Sequence, residues 1–142
     1  MAIKQLSVSL DNVPGALSIV SEILGDGGVN IRAISVADTA DISTVRFVVD
    51  EPFKAVNILK TNGYAVKETD VLAVETPDHP GGLNAVLKPL KDAGINVHYL
   101  YPHLGRMDNN AIVILGVDKT EEAQKVLTQN WVKTLGREVY NV

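Results

Sequence analysis

The stretch Asp11 to Ile31, DNVPGALSIVSEILGDGGVNI, returns as Pro77 to Val97, PDHPGGLNAVLKPLKDAGINV. At an offset of 66 residues, Val8, Pro14, Gly15, Leu17, Val20, Leu24, Asp26, Gly28 and Asn30 meet Val74, Pro80, Gly81, Leu83, Val86, Leu90, Asp92, Gly94 and Asn96. The chain is one unit written twice, so whatever fold serves the first half must serve the second. Its 142 residues divide into two domains, 1–68 and 69–142. Units of about 70 residues bury only modest cores, so each is expected to lean on its twin or on a second chain, with a homodimer as the expected state.

Within a copy the patterning changes period twice. Leu6, Val8 and Leu10 alternate with polar residues, the signature of a strand with one buried face. Pro14 suits the first position of a helix, where its missing N–H costs nothing, and Leu17, Val20 and Leu24 then form one helical stripe. The glycines between Gly25 and Gly28 end that helix. A second strand is read over residues 31–37, a turn at Ala40 and Asp41, and a third strand through Val45, Phe47 and Val49. Pro52 opens a second helix with Ala55, Ile58 and Leu59 inward, Gly63 caps its end, and residues 64–67 form a short fourth strand. Glu68, Thr69 and Asp70 are left as the connection to the second copy.

The order β-α-β-β-α-β defines an α+β, ferredoxin-like sandwich, an antiparallel sheet with both helices on one face. In the second copy, strands are read at Leu72 and Val74, over 97–101 and over 112–117, and the first helix carries Leu83, Val86 and Leu90. Thr120 is placed as N-cap of the last helix, with Glu121 and Glu122 in its first turn and Ala123, Val126 and Leu127 inward. Residues 131–135 and 139–142 share the remaining strand and the tail. Pro89 falls late in the second copy's first helix, where an interior proline predicts a kink or an early end.

Composition removes several classes of function. The net charge is −4 and no run of Lys or Arg occurs, which argues against nucleic acid and against an anionic membrane surface. Without cysteine there are no disulfides, thiolate metal sites or thiol nucleophiles, consistent with a reducing compartment. No signal-peptide pattern and no apolar run of spanning length is seen, so a soluble, cytoplasmic protein is the expectation. The three histidines lack acidic residues spaced with them for a metal. His98, Tyr99, Tyr101 and His103 are read as interface residues instead, with Tyr99 or Tyr101 shaping a pocket. The glycines at 25, 27 and 28 follow a helix and are not a phosphate loop.

Chemistry concentrates at the strand-to-helix turns, Asn12-Val13-Pro14-Gly15 and Asp78-His79-Pro80-Gly81. Backbone N–H groups at a helix start attract a carboxylate, glycine lets a ligand approach, and Asn12 or Asp78 accepts from an ammonium group. The same residue types also make ordinary turns. Arg32 and Arg46 are further partners for a carboxylate, or simply solvated strand residues.

These residues resemble the ACT domain, met here twice. Asn12-Val13-Pro14-Gly15-Ala16-Leu17 with Gly28-Val29-Asn30-Ile31, and Asp78-His79-Pro80-Gly81-Gly82-Leu83 with Gly94-Ile95-Asn96-Val97, follow its pattern within the expected element order. The resemblance covers nearly the whole chain and implies a tandem ACT protein that regulates rather than catalyses. It implies a free amino acid sensed at ACT–ACT interfaces, with Asn12, Asn30, Asp78 and Asn96 facing it. The flanking Val13, Pro14, Gly15, Ile31, His79, Pro80, Gly81 and Val97 complete the ligand-binding set. No cofactor or metal is implied, and the output passes to a regulated enzyme or other protein partner. The serine-binding members of the family carry a His four residues before the Pro, where Leu10 and Thr76 stand here. A small enzyme on the same scaffold and a purely structural dimerisation module are the alternative readings.

Overall fold

The structure, a computed structural model, describes residues 2–142. It separates into two compact units, 4–69 and 70–142, with Ala2 and Ile3 grouping with the latter. The first unit begins with strand β1 (Ile3–Asp11), helix α1 (Ala16–Asp26), strands β2 (Ile31–Asp38) and β3 (Ile42–Val49) and helix α2 (Pro52–Thr61). Strand β4 (Lys67–Thr76) crosses the boundary. Helix α3 (Gly82–Asp92), strands β5 (Val97–Met107) and β6 (Asn110–Val117), helix α4 (Thr120–Gln129), the two-residue strand β7 (Thr134–Leu135) and a 3-10 turn (Arg137–Tyr140) follow.

In the first unit β3 is central and antiparallel to both β1 and β2, with Leu6 opposite Phe47 and Val36 opposite Val45. Alternation does what period two requires: Leu6, Val8 and Leu10 from β1 and Val45, Phe47 and Val49 from β3 point to one side. There they meet Val20 and Leu24 of α1 and Ala55, Val56 and Leu59 of α2. The second unit repeats this with β6 between β5 and β4, and β7 on the far side of β4. Leu72, Val74, Val113 and Leu115 pack against Val86, Leu90, Ala123 and Leu127. Each unit is therefore the α+β sandwich expected from the repeat, with its helices on one face of an antiparallel sheet.

Several local expectations are corrected. Residues 64–66 form no strand; the strand begins at Lys67 and runs through the supposed connection to Thr76. Pro14 is not the first helical residue. Val13-Pro14-Gly15-Ala16 is a turn, closed by Ala16 N–H to the Val13 carbonyl at 3.3 Å with Gly15 at φ 85°, and α1 starts only after it. His79-Pro80-Gly81-Gly82 repeats it at 2.9 Å with Gly81 at φ 82°. Proline before a left-handed glycine is the sequence of a type II turn, which outcompetes the helix start. Helix α3 does not end early at Pro89: it runs the same 11 residues as α1. The proline lies three residues from the end, and the closing bonds beyond it form regardless, Ala93 N–H to Pro89 O at 3.1 Å and Ile95 N–H to Leu90 O at 2.9 Å. Lys119, not Thr120, occupies the N-cap of α4, and no side chain caps it.

Candidate functional site

Both turns are built from exposed residues: Asn12, Val13, Pro14 and Gly15 in one unit, Asp78, His79, Pro80 and Gly81 in the other. Neither α1 nor α3 has a side-chain cap; the amides of Ala16 and Gly82 close the turns onto Val13 O and His79 O, and those of the two residues after each are left for solvent or a ligand. The Asn12 side chain donates through Nδ2 to Thr39 O at 3.2 Å, and its backbone N–H donates to Asp41 O at 3.0 Å, tying the turn to the β2–β3 connection. Asp78 is held differently. Its Oδ2 accepts from Arg106 Nη2 at 2.9 Å, and the same nitrogen lies 3.3 Å from Asn109 O. His79 Nδ1 donates to Pro80 O at 2.9 Å. The two turns share a backbone and differ in their polar side chains.

Leu17 and Leu83 were expected on the buried stripes, yet they are 39% and 40% exposed. Each lies two residues beyond the left-handed glycine, too near the helix start for the sheet to cover. The consequence is an apolar side chain beside uncapped amides, in both copies.

Asn30 and Asn96 open β2 and β5 at the other end of their units. Their backbone N–H groups donate to Asp50 Oδ1 (2.8 Å) and Asp118 Oδ1 (3.1 Å), and the return bonds run from Asp50 N and Asp118 N to their carbonyls. The Asn30 side chain is exposed, whereas Asn96 Nδ2 is 3.4 Å from His98 Nδ1. Ile31 and Val97 are half-buried and pack against the cores. Asn96 and Val97 also line a depression of about 480 Å³ with Leu87 and Lys91.

Within one unit these two groups of residues are not brought together. Asp11 pairs with Ile42 at one end of β3 and Ile31 with Val49 at the other, seven residues and about 23 Å apart. The second unit has the same arrangement, with Thr76 opposite Ala111 and Val97 opposite Val117.

Arg32, two residues after Asn30, keeps its Nε buried without a hydrogen-bond partner among the described residues. A buried donor left unpaired is costly and calls for an acceptor. His103 is occupied structurally, Nδ1 accepting from Gly105 N–H at 2.8 Å and Nε2 donating to Val139 O at 2.7 Å. Tyr99 and Tyr101 stack on each other with centroids 6.4 Å apart. No group of three metal-ligating side chains occurs among the described residues. Sequence reasoning missed the Arg106 partner of Asp78, which lies 28 residues away with no spacing signal, and the two aspartates that hold Asn30 and Asn96.

Two α+β units of this order, each with a Pro-Gly turn before its first helix and an Asn opening its second strand, define a tandem class of βαββαβ proteins. The sequence matches the ACT domain pair over residues 1–139, and the chain belongs to that family. It is similar to the crystal structure of protein BT0572 from Bacteroides thetaiotaomicron, at 34% identity and TM-score 0.93, over 100% of this chain and 98% of that one. It also shares its fold with the ligand-free regulatory subunit of aspartate kinase from Thermus thermophilus, at 16% identity and TM-score 0.65, over 90% and 92% of the two chains. The aspartokinase alpha and beta subunits give 16% identity and TM-score 0.60 over 92% and 96%. No match is found among curated proteins. No helix among the described residues is long and apolar enough to cross a membrane.

Proposed function

We propose that the protein is a non-catalytic regulator that binds a free amino acid where two ACT units meet. The observation that carries this reading is the duplicated turn: a left-handed glycine, uncapped first-turn amides and an exposed leucine, retained in both copies although the polar side chains differ. Helix-start amides favour a carboxylate, the remaining oxygens of Asn12 or Asp78 accept from an ammonium group, and Leu17 or Leu83 offers an apolar surface. Because turn and strand-opening asparagine stand at opposite ends of a unit, a ligand as small as an amino acid reaches both kinds of residue only between units. Arg32 supplies a donor in search of an anion, adjacent to Asn30 and Ile31. The regulatory subunits of aspartate kinase named above share this fold, which is consistent with a partner enzyme as the output.

A ligand that binds the folded state at 100 times its dissociation constant stabilises it by about 2.7 kcal/mol, or about 5 to 10 °C in melting temperature at this size. A thermal-shift screen against the twenty amino acids, followed by calorimetry, is expected to yield a selective hit. Asn30→Ala or Asn96→Ala should abolish it without loss of fold, and so identify the copy that binds. If no amino acid shifts the melt, the sensor reading fails in favour of a pairing module. Consumption of the hit would instead make the protein an enzyme.

A further inference from the structure

All four long helices close in the same way, Val29, Tyr64, Ile95 and Val132 donating to the carbonyls of Leu24, Leu59, Leu90 and Leu127 at 2.9 to 3.0 Å. Before three of these closing amides stands a glycine, Gly28, Gly63 or Gly94, with φ between 71° and 86°; in α4 it is Trp131, at φ 65°. A bulky side chain in the left-handed region strains the backbone, and this one gains no burial in exchange, because it is 95% exposed. Strain of this kind persists where it serves a site.

Trp131 borders a cavity of about 210 Å³ formed within the second unit on the helix side of its sheet, with Pro77, Ala85, Val86 and Val132 as apolar walls. Glu75 and Lys133 border it too, but their charges lie elsewhere. Glu75 pairs with Ile112 and alternates with Val74, so its carboxylate is on the opposite face, where it holds Lys133 Nζ at 3.3 Å. The polar side chains that remain, Asn110 and Asn130, are uncharged. The first copy carries larger side chains at the corresponding positions. Leu10 and Ile19 stand 66 residues before Thr76 and Ala85, and Tyr64, which closes α2 as Val132 closes α4, packs against the first core. Thr76, on the helix-facing side with Val74, also keeps its buried Oγ1 without a hydrogen-bond partner among the described residues, which costs stability. The second copy has thus given up packing that folding alone would favour. The cavity adjoins the second Pro-Gly turn: Pro77 immediately precedes Asp78, and a depression of about 350 Å³ shares Ala85 and Asn130 with the cavity and reaches Gly81 and Asn84 at the start of α3.

We infer that this cavity receives the side chain of an apolar amino acid, of leucine or phenylalanine size, whose carboxylate sits on the free amides of Leu83 and Asn84 while the indole of Trp131 closes over the side chain. The inference rests on the amino-acid reading above and names the class of ligand that the second copy selects. At about 210 Å³, below the roughly 300 Å³ at which drug-sized pockets begin, the cavity fits one side chain rather than a whole ligand. A wall without charge rejects aspartate, glutamate, lysine and arginine, whose charged groups would lose water and gain no partner. The first copy has Ile19 in place of Ala85 and Gly63 in place of Trp131, a bulkier wall and no lid, so the two copies differ in what they select.

Trp131 is the sole tryptophan, so its emission reports on this site alone. The full chain is titrated with L-leucine and L-phenylalanine, and with glycine, L-alanine, L-glutamate and L-lysine at matched ionic strength. The expected result is a saturable change in emission with leucine or phenylalanine, and by calorimetry an affinity about tenfold or more above that for the small and charged amino acids. Ala85→Ile, which restores the first copy's residue, and Trp131→Gly are each expected to weaken that binding about tenfold or more. Trp131→Gly melts no lower than the parent, since glycine suits the left-handed position, so its loss of binding is not a loss of fold. Small or charged amino acids bound as tightly as leucine and phenylalanine, or apolar binding unchanged in both variants, overturns this inference and leaves the amino-acid reading standing. Failure of every amino acid to bind overturns both. Emission that shifts with protein concentration alone also overturns the inference, since the indole would then dock against a second copy of the chain.

Discussion

Residue identity separates the two copies where the backbone does not. Asn12 and Asp78 hold matching positions, but one binds a backbone carbonyl and the other an arginine. Charge makes a second such contrast at the far end of α3. Asp92 accepts from Lys88 Nζ at 2.9 Å one helical turn away, and this hydrogen bond, then the charges of Lys88 and Lys91, holds its carboxyl below the ordinary value. Its counterpart Asp26 has no lysine one turn before it, because position 22 is Glu. A depressed acid contributes stability above its unfolded pKa and loses it as pH falls through the folded one. Carboxyl resonances followed by NMR through an acid titration should show Asp92 moving up toward the ordinary value in Lys88→Ala; an unchanged midpoint would assign the depression to another source. The Asp92–Lys88 pair was legible as a helical i,i+4 spacing. Trp131 was not, because a left-handed position is announced in sequence by Gly or Asn and here carries neither.

The elements themselves were largely legible, since period-two and helical patterning follow directly from which faces are buried. What escaped were choices between neighbouring local structures: Pro-Gly as a type II turn rather than a helix start, and residues 64–66 as coil before a long β4. Strand β5 runs to Met107, well past the 97–101 expected, because the inward positions of its far end are held by His103 and Gly105, which give no hydrophobic alternation to announce it. Across the paired strands the two copies have exchanged bulk. Ala33 opposes Val48 in the first unit, and Tyr99 opposes Gly116 in the second. Any side chain at Gly116 would enter the ring of Tyr99. Gly116→Val is therefore expected to cost about 1 to 3 kcal/mol by overpacking. Tyr99→Ala in the same chain should return much of that loss, giving a coupling of about 0.5 to 3 kcal/mol in a double-mutant cycle by urea denaturation. Additive losses would show that the pair does not share its space.

For the molecule as a whole, the repeat carried the fold and the family, because one motif met twice at one spacing restricts architecture far more than either copy does. The site was legible only in part: its residue types could be named, but their placement at opposite ends of a unit depends on strand register, which no local spacing reveals. The first strand of the second copy has a separate consequence for motion. Strand β4 hydrogen-bonds to β6 on one side and β7 on the other, and every residue from Val71 to Thr76 is buried. Amides so placed exchange with deuterated solvent only when a whole cooperative unit opens. In native-state exchange those of residues 72–74 should be among the slowest in the protein, with the amides of the Pro-Gly turns among the fastest. Exchange of residues 72–74 as quickly as the turns would contradict this. The second repeat is thus expected to be sealed from water within a few residues of its start, although the chain enters it through the exposed Lys67, Glu68 and Asp70.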